Sequence, residues 1–144
     1  MFKILQASLK DLKELHALEK ACFEQDAWSY LDLIGVLTFP ATVRLKAVKG
    51  EKMVGFIGGD IRSSKNTGWI ITVGVLPDYR NQGIAKTLLE RCEKELNMPL
   101  VKLCVRRSNT PAIQLYEKYG YKKVGIWEKY YSGNEDAFVY EKRR

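Results

Sequence analysis

The sequence predicts an α/β (α+β) chain: one mixed, mostly antiparallel sheet of about six to seven strands, about four helices and a central β-α-β crossover. Three observations lead there. Residues 42–75 hold three consecutive strand-like runs separated by short polar turns, the pattern of a meander. Residues 83–105 run from helical period into a short apolar strand, which calls for a crossover. Residues 121–142 close on two β-rich runs either side of Ser132-Gly133-Asn134, a hairpin pattern.

The elements follow in order. After an opening strand, Ser8-Leu9-Lys10-Asp11 is a capping box, starting a helix with Leu9, Leu12, Leu15 and Leu18 on one face. Ser29-Tyr30-Leu31-Asp32 repeats that signature before Leu33, Ile34 and Val36, and Pro40 lies past the end of this second helix. Strands are expected over residues 42–48, 53–61 and 68–75. Ile84, Leu88, Leu89, Cys92 and Leu96 recur at helical spacing, so residues 83–96 form the crossover helix. A strand at 100–105 leads to a helical face of Ala112, Leu115, Tyr116 and Tyr119 that stops at Gly120, and the hairpin ends the chain.

Composition narrows the function classes. Residues 1–144 carry no linker, repeat or low-complexity stretch and read as a single domain. A chain this long buries about two-thirds of its unfolded surface and needs no disulfide or metal to fold. Three cysteines without CxxC spacing and a single histidine leave no zinc pattern and point to a reducing compartment. No signal-peptide pattern and no apolar run of about 18 residues is present, so a cytoplasmic protein without membrane association is expected. The net charge of +7 suits a polyanionic partner such as a ribosome, or a polyphosphorylated small ligand. Only Lys142-Arg143-Arg144 clusters, so most of this charge reads as solvated surface, and no basic–aromatic patch argues for nucleic-acid readout.

Residues 73–86 carry the most chemistry. Val73, Gly74 and Val75 end a strand, and Pro77 removes a ladder donor. Arg80, Asn81, Gln82, Gly83, Ile84, Ala85 and Lys86 then open the helix, with Arg80, Gly83 and Ala85 at R-x-x-G-x-A spacing. Free N–H groups and the positive end of a helix dipole attract a diphosphate, and small residues let it approach the backbone. Arg80 and Lys86 can add charge-assisted bonds, giving a pyrophosphate cradle with no metal. A plain strand-to-helix turn, with glycine there for packing, is the other reading of the loop alone.

This segment resembles motif A (Q/R-x-x-G-x-G/A) of the GNAT N-acetyltransferases. Val105-Arg106-Arg107-Ser108-Asn109, Ala112 and the run from Leu115 to Tyr121 resemble the family's next signature, and the resemblance covers essentially the whole chain. The ending Glu128-Lys129-Tyr130-Tyr131, with Trp28-Ser29, is similar to the branch that acetylates protein N-termini, including ribosomal-protein-alanine enzymes.

The resemblance implies a GNAT fold, acetyl-CoA as co-substrate, and a protein or peptide N-terminus as acceptor, with a ribosome or ribosomal protein as a possible source of it. It implies that Val73, Gly74 and Val75 bind the pantetheine arm, that Arg80 to Lys86 hold the pyrophosphate, and that Asn109 contacts coenzyme A. Asn109 also suits a helix N-cap ahead of Pro111. It implies that Tyr116 protonates the leaving thiolate, a role open to a phenol of pKa about 10, whereas helical spacing alone makes it a core aromatic. It implies that Tyr130 and Tyr131 line a peptide groove whose other wall holds Phe23 and Glu24. Strand alternation would let only one of the two tyrosines face the acceptor, and exposed loop residues are the other reading of Phe23 and Glu24.

One position departs from the pattern. Relatives in the ribosomal-protein-alanine branch place a glutamate base where this chain has Cys104, which reads as a small core residue. An α-amine of pKa about 7.7–8.0 is neutral roughly one time in six at pH 7, whereas a lysine amine near 10.4 is neutral about once in 2,500. Loss of a base, worth about 10²–10⁴-fold, is therefore better tolerated for an α-amine acceptor, with Glu24 or another carboxylate taking the proton through water. Two other functions compete: acetylation of a small amine, and a non-catalytic acyl-CoA-binding module.

Overall fold

The predicted meander forms the middle of a larger sheet. The computed structural model describes residues 1–144, the side chains of residues 25 and 132 excepted. Strands β1 (Lys3–Gln6), β2 (Thr42–Lys49), β3 (Lys52–Arg62), β4 (Thr67–Val75), β5 (Leu100–Arg106), β6 (Lys122–Tyr131) and β7 (Glu135–Arg143) form one seven-stranded sheet. Their order is β1-β2-β3-β4-β5-β7-β6. All neighbours are antiparallel except β4 and β5, which helix α3 (Ile84–Leu96) joins as a parallel crossover.

Helices cover both faces. On one, α1 (Leu12–Phe23) and α2 (Tyr30–Thr38) bury Leu15, Leu18, Leu33 and Val36 against Met53 and Phe56 of β3. The Ser29 hydroxyl caps α2 by accepting from the Asp32 N–H at 3.2 Å. The Ser8 box also forms, its N–H donating to Asp11 at 2.9 Å, but it opens a single 3-10 turn before α1 begins at Leu12. Leu9 is therefore off the buried stripe and half exposed at 51%, against the helical spacing that grouped it with Leu12.

On the other face, α3 lies unusually close to the sheet. A Cβ built on Gly55 would meet Ile84 at 3.0 Å, one on Gly59 would meet Cys92 at 3.0 Å, and one on Gly68 would meet Leu96 at 3.0 Å. Glycine at these strand positions removes the side chains that would hold the helix away. Helix α4 (Thr110–Lys118) follows β5, with the Asn109 side chain accepting from the Ala112 N–H at 3.3 Å as the expected N-cap.

Two irregularities shape the centre. β4 and β5 pair only through Thr67–Leu100, Gly68–Val101 and Trp69–Lys102. On its other side β4 carries an extra residue: Thr72 faces Gly58 and Ile70 faces Gly59, leaving Ile71 as a bulge. A bulge bends and twists its strand, and past it β4 and β5 no longer pair. The far half of β4 is left with an edge inside the sheet.

Candidate active site

A cleft of about 1250 Å³ opens where β4 and β5 part. Of the sixteen residues singled out from sequence, all but Gln82 line it. The Gln82 side chain turns instead to the β2–β3 hairpin and accepts from Lys49 Nζ at 2.7 Å.

The motif loop is built from its own residues. Pro77–Tyr79 makes one 3-10 turn, and Arg80 Nε donates back to the Val75 carbonyl at 2.9 Å. Asn81 and Gly83 take positive φ (64° and 81°), reversing the chain into α3. Among the described residues no side chain caps α3, so its first-turn N–H groups remain available, and a Cβ on Gly83 would meet no described atom within 4 Å. Lys86 lies 4.0 Å from Glu90, a loose pairing that leaves its charge near the helix start. An open, cationic, uncapped helix N-terminus beside a free strand edge fits a diphosphate with an amide-bearing arm. Among the described residues, no three His, Cys, Asp or Glu side chains converge as metal ligands.

Tyr116, on α4, is 6% exposed and packs edge-on against Tyr121 at 6.0 Å between ring centroids. Burial pushes its phenol well above the usual range, so the proton stays on it. Core residue and cleft residue are both correct descriptions of it.

Cys104 corrects an expectation. Val101, Leu103 and Val105 of β5 are buried in the core with α3, while Lys102, Cys104 and Arg106 alternate to the opposite face. Cys104 is thus half-buried in the cleft wall and not a core residue. Burial pushes its thiol up to about 11, so it is un-ionised at neutral pH and a poor proton acceptor there.

Tyr130 and Tyr131 correct another. Trp127 pairs with Ala137 and Tyr131 with Glu135, so residues 128–130 stand opposite Asp136 alone. Lys129 takes φ 52°, and its N–H donates to Asp136 at 3.0 Å. This wide irregularity breaks the period of two, and both tyrosines line the cleft, ring against ring at 5.0 Å.

The facing wall is the connector between α1 and α2. Phe23 ends α1, and Glu24 follows at φ 49°, ψ −111°, a strained backbone for a side chain with a Cβ. The connector is tied down by Glu19, a fully buried carboxylate that accepts from Thr72 of β4 at 2.8 Å and from the Trp28 N–H at 3.4 Å. Burial raises the Glu19 pKa, and those two hydrogen bonds pull the other way.

Among the cleft residues that sequence reasoning did not single out are Asp26, Arg106 and Glu135. Arg106 Nε donates to Asp26 at 2.9 Å, Arg106 NH1 donates to Glu135 at 2.6 Å, and the guanidinium lies 4.9 Å from the Tyr131 ring centre. The other Glu135 oxygen accepts from the Ser108 N–H at 2.6 Å. Bonds to Ser108 and then Arg106 hold the Glu135 carboxyl below the usual range. The alternation of Lys102, Cys104 and Arg106 along β5 was the available signal.

Comparison with known proteins agrees with this geometry. The model of the acetyltransferase (GNAT) family matches residues 9–121. An N-alpha-acetyltransferase of Sulfurisphaera tokodaii is 29% identical across 96% of the chain and 90% of its own length. One from Saccharolobus solfataricus is 45% identical over 76 residues, half of the chain and 46% of that enzyme, so this second match spans less than half of its relative. The crystal structure of the ribosomal-protein-S18-alanine N-acetyltransferase from Escherichia coli superposes with a TM-score of 0.90 at 26% identity, covering 99% of this chain and 94% of that one. Among the described residues, no helix is long and apolar enough to cross a membrane. The chain belongs to the acetyltransferase (GNAT) family, and with it to the acetyl-CoA-dependent N-acetyltransferases.

Proposed function

We propose that the enzyme acetylates the N-terminal α-amine of proteins or peptides by direct attack, with no acyl-enzyme. The observation that carries this reading is the groove between Phe23 and Glu24 on one side and Tyr130 and Tyr131 on the other, in the same cleft as Tyr116. The relatives' names, N-alpha-acetyltransferase and ribosomal-protein-S18-alanine N-acetyltransferase, support the same acceptor class.

Bound acetyl-CoA supplies the thioester carbonyl that the amine attacks. Arg80 to Lys86, Gln82 excepted, hold its pyrophosphate at the start of α3. The free edge at Val73, Gly74 and Val75 takes the amides of the pantetheine arm, and Asn109 caps α4 beside it. Tyr116 keeps a proton on its hydroxyl through the working pH range and delivers it to the departing thiolate. With Cys104 un-ionised, no side chain at that position takes the ammonium proton. The enzyme relies on the fraction of α-amine already neutral, on positioning worth up to about 7–11 kcal/mol, and on water leading to Glu24.

The test is acetyl-CoA turnover, followed by thiol release and product mass, with peptides beginning Ala, Ser and Met. The panel includes a ribosomal-protein N-terminus, an N-blocked peptide with an internal lysine, and a polyamine. Turnover confined to free N-termini is expected. Equal acetylation of the internal lysine, or turnover of the polyamine alone, would overturn the reading.

A further inference from the structure

We infer that Arg106 is the positioning residue of the acceptor groove, clamping its two walls together through Asp26 and Glu135; the inference rests on the acceptor reading above. The walls come from distant parts of the chain, the connector after α1 and the turn before β7. No β-ladder joins them: the connector holds no strand, and β7 reaches it only across β5. Arg106 stands between them at the end of β5, 80 residues from Asp26 and 29 from Glu135.

Its side chain is 21% exposed, and its two carboxylate partners are 21% and 24% exposed, so all three are partly withdrawn from water. A guanidinium has donors on separate edges of one rigid plane and can satisfy two carboxylates while its face lies on Tyr131. A lysine ammonium is a single flexible point charge and cannot hold that arrangement. Arg106 anchors the connector at Asp26 and Glu19 anchors it again at Trp28, so Glu24 is held between the end of α1 and a segment fixed at two points. That double anchoring explains how an unfavourable φ persists at Glu24. The same network docks the β6–β7 turn through Ser108, fixing where Tyr130 and Tyr131 stand.

None of these three side chains needs to touch the reacting atoms. Their effect falls on acceptor geometry and leaves the donor cradle at α3 untouched. Arg106→Met is expected to raise the peptide KM by about 10- to 100-fold, with the acetyl-CoA Kd and the pH profile of kcat unchanged. Arg106→Lys should fall between that variant and wild type. Asp26→Asn and Glu135→Gln, each loosening one wall, should raise the peptide KM several-fold and keep the test open if Arg106→Met does not fold. A peptide KM unchanged in Asp26→Asn and Glu135→Gln would overturn the clamp, as would equal losses toward peptide and acetyl-CoA. Failure of the wild type to turn over any peptide would instead sink the acceptor reading.

Discussion

A phenol buried as deeply as Tyr116 keeps its proton and is no base. Tyr116→Phe removes the hydroxyl and leaves the ring packed on Tyr121, so kcat should fall by about 10²-fold or more while the acetyl-CoA Kd holds. Isothermal titration beside steady-state assays checks both halves. Cys104 carries the opposite expectation. Burial pushes its thiol up to about 11, far above the assay range, so Cys104→Ser should keep most of the wild-type turnover and show no new limb between pH 6 and 9. A collapse of turnover with donor binding intact would mean the thiol has a role in proton transfer. At this scale the strand–turn–helix of the motif loop was legible from sequence, because Arg80, Gly83 and Ala85 follow a local spacing at the start of α3. Arg106 was not, because its meaning depends on partners 80 residues before it and 29 after it.

Helix α1 carries a carboxyl, Glu19, bonded to Thr72 of β4 at a place where ionising it is costly. Burial favours the protonated form of Glu19, so its folded pKa lies above the unfolded value. The native state then binds more protons than the unfolded chain between those two values, and stability falls as pH rises through that window. Glu19→Gln abolishes this dependence, so its Tm relative to wild type, measured by thermal denaturation, should improve as pH rises above the ordinary carboxyl range and level off once the folded carboxyl ionises. A Tm difference independent of pH would show that the carboxyl is not desolvated. On the other face, Gly59→Ala drives a methyl into Cys92 and Leu96 and should cost about 1–3 kcal/mol in chemical denaturation. Element types were readable because capping residues and hydrophobic periods are local signals. The bulge at Ile71 and the irregularity opposite Asp136 were not, because each exists only once a partner strand sets the register. Those two irregularities open the gap beside β4 and turn both tyrosines inward.

Over the whole molecule, the sheet order followed from the meander, the crossover and the hairpin. What no local pattern announced was that two parallel neighbours would meet over three residue pairs and then separate. That separation also sets what the enzyme responds to. On the proposed reading the gap beside β4 is a slot for one missing strand, filled by the pantetheine arm with its two amides. Acetyl-CoA and free coenzyme A share that arm and differ only at its tip, so the slot should take both with nearly equal affinity. Product inhibition by coenzyme A, competitive with acetyl-CoA, should show an inhibition constant close to the donor's Kd. Amide exchange at Val73, Gly74 and Val75 should slow equally with either ligand, and a coenzyme A inhibition constant far above the donor Kd would rule this out. If the two affinities match and the two forms together saturate the slot, acetylation should follow the proportion of acetylated to free carrier more closely than the amount of either.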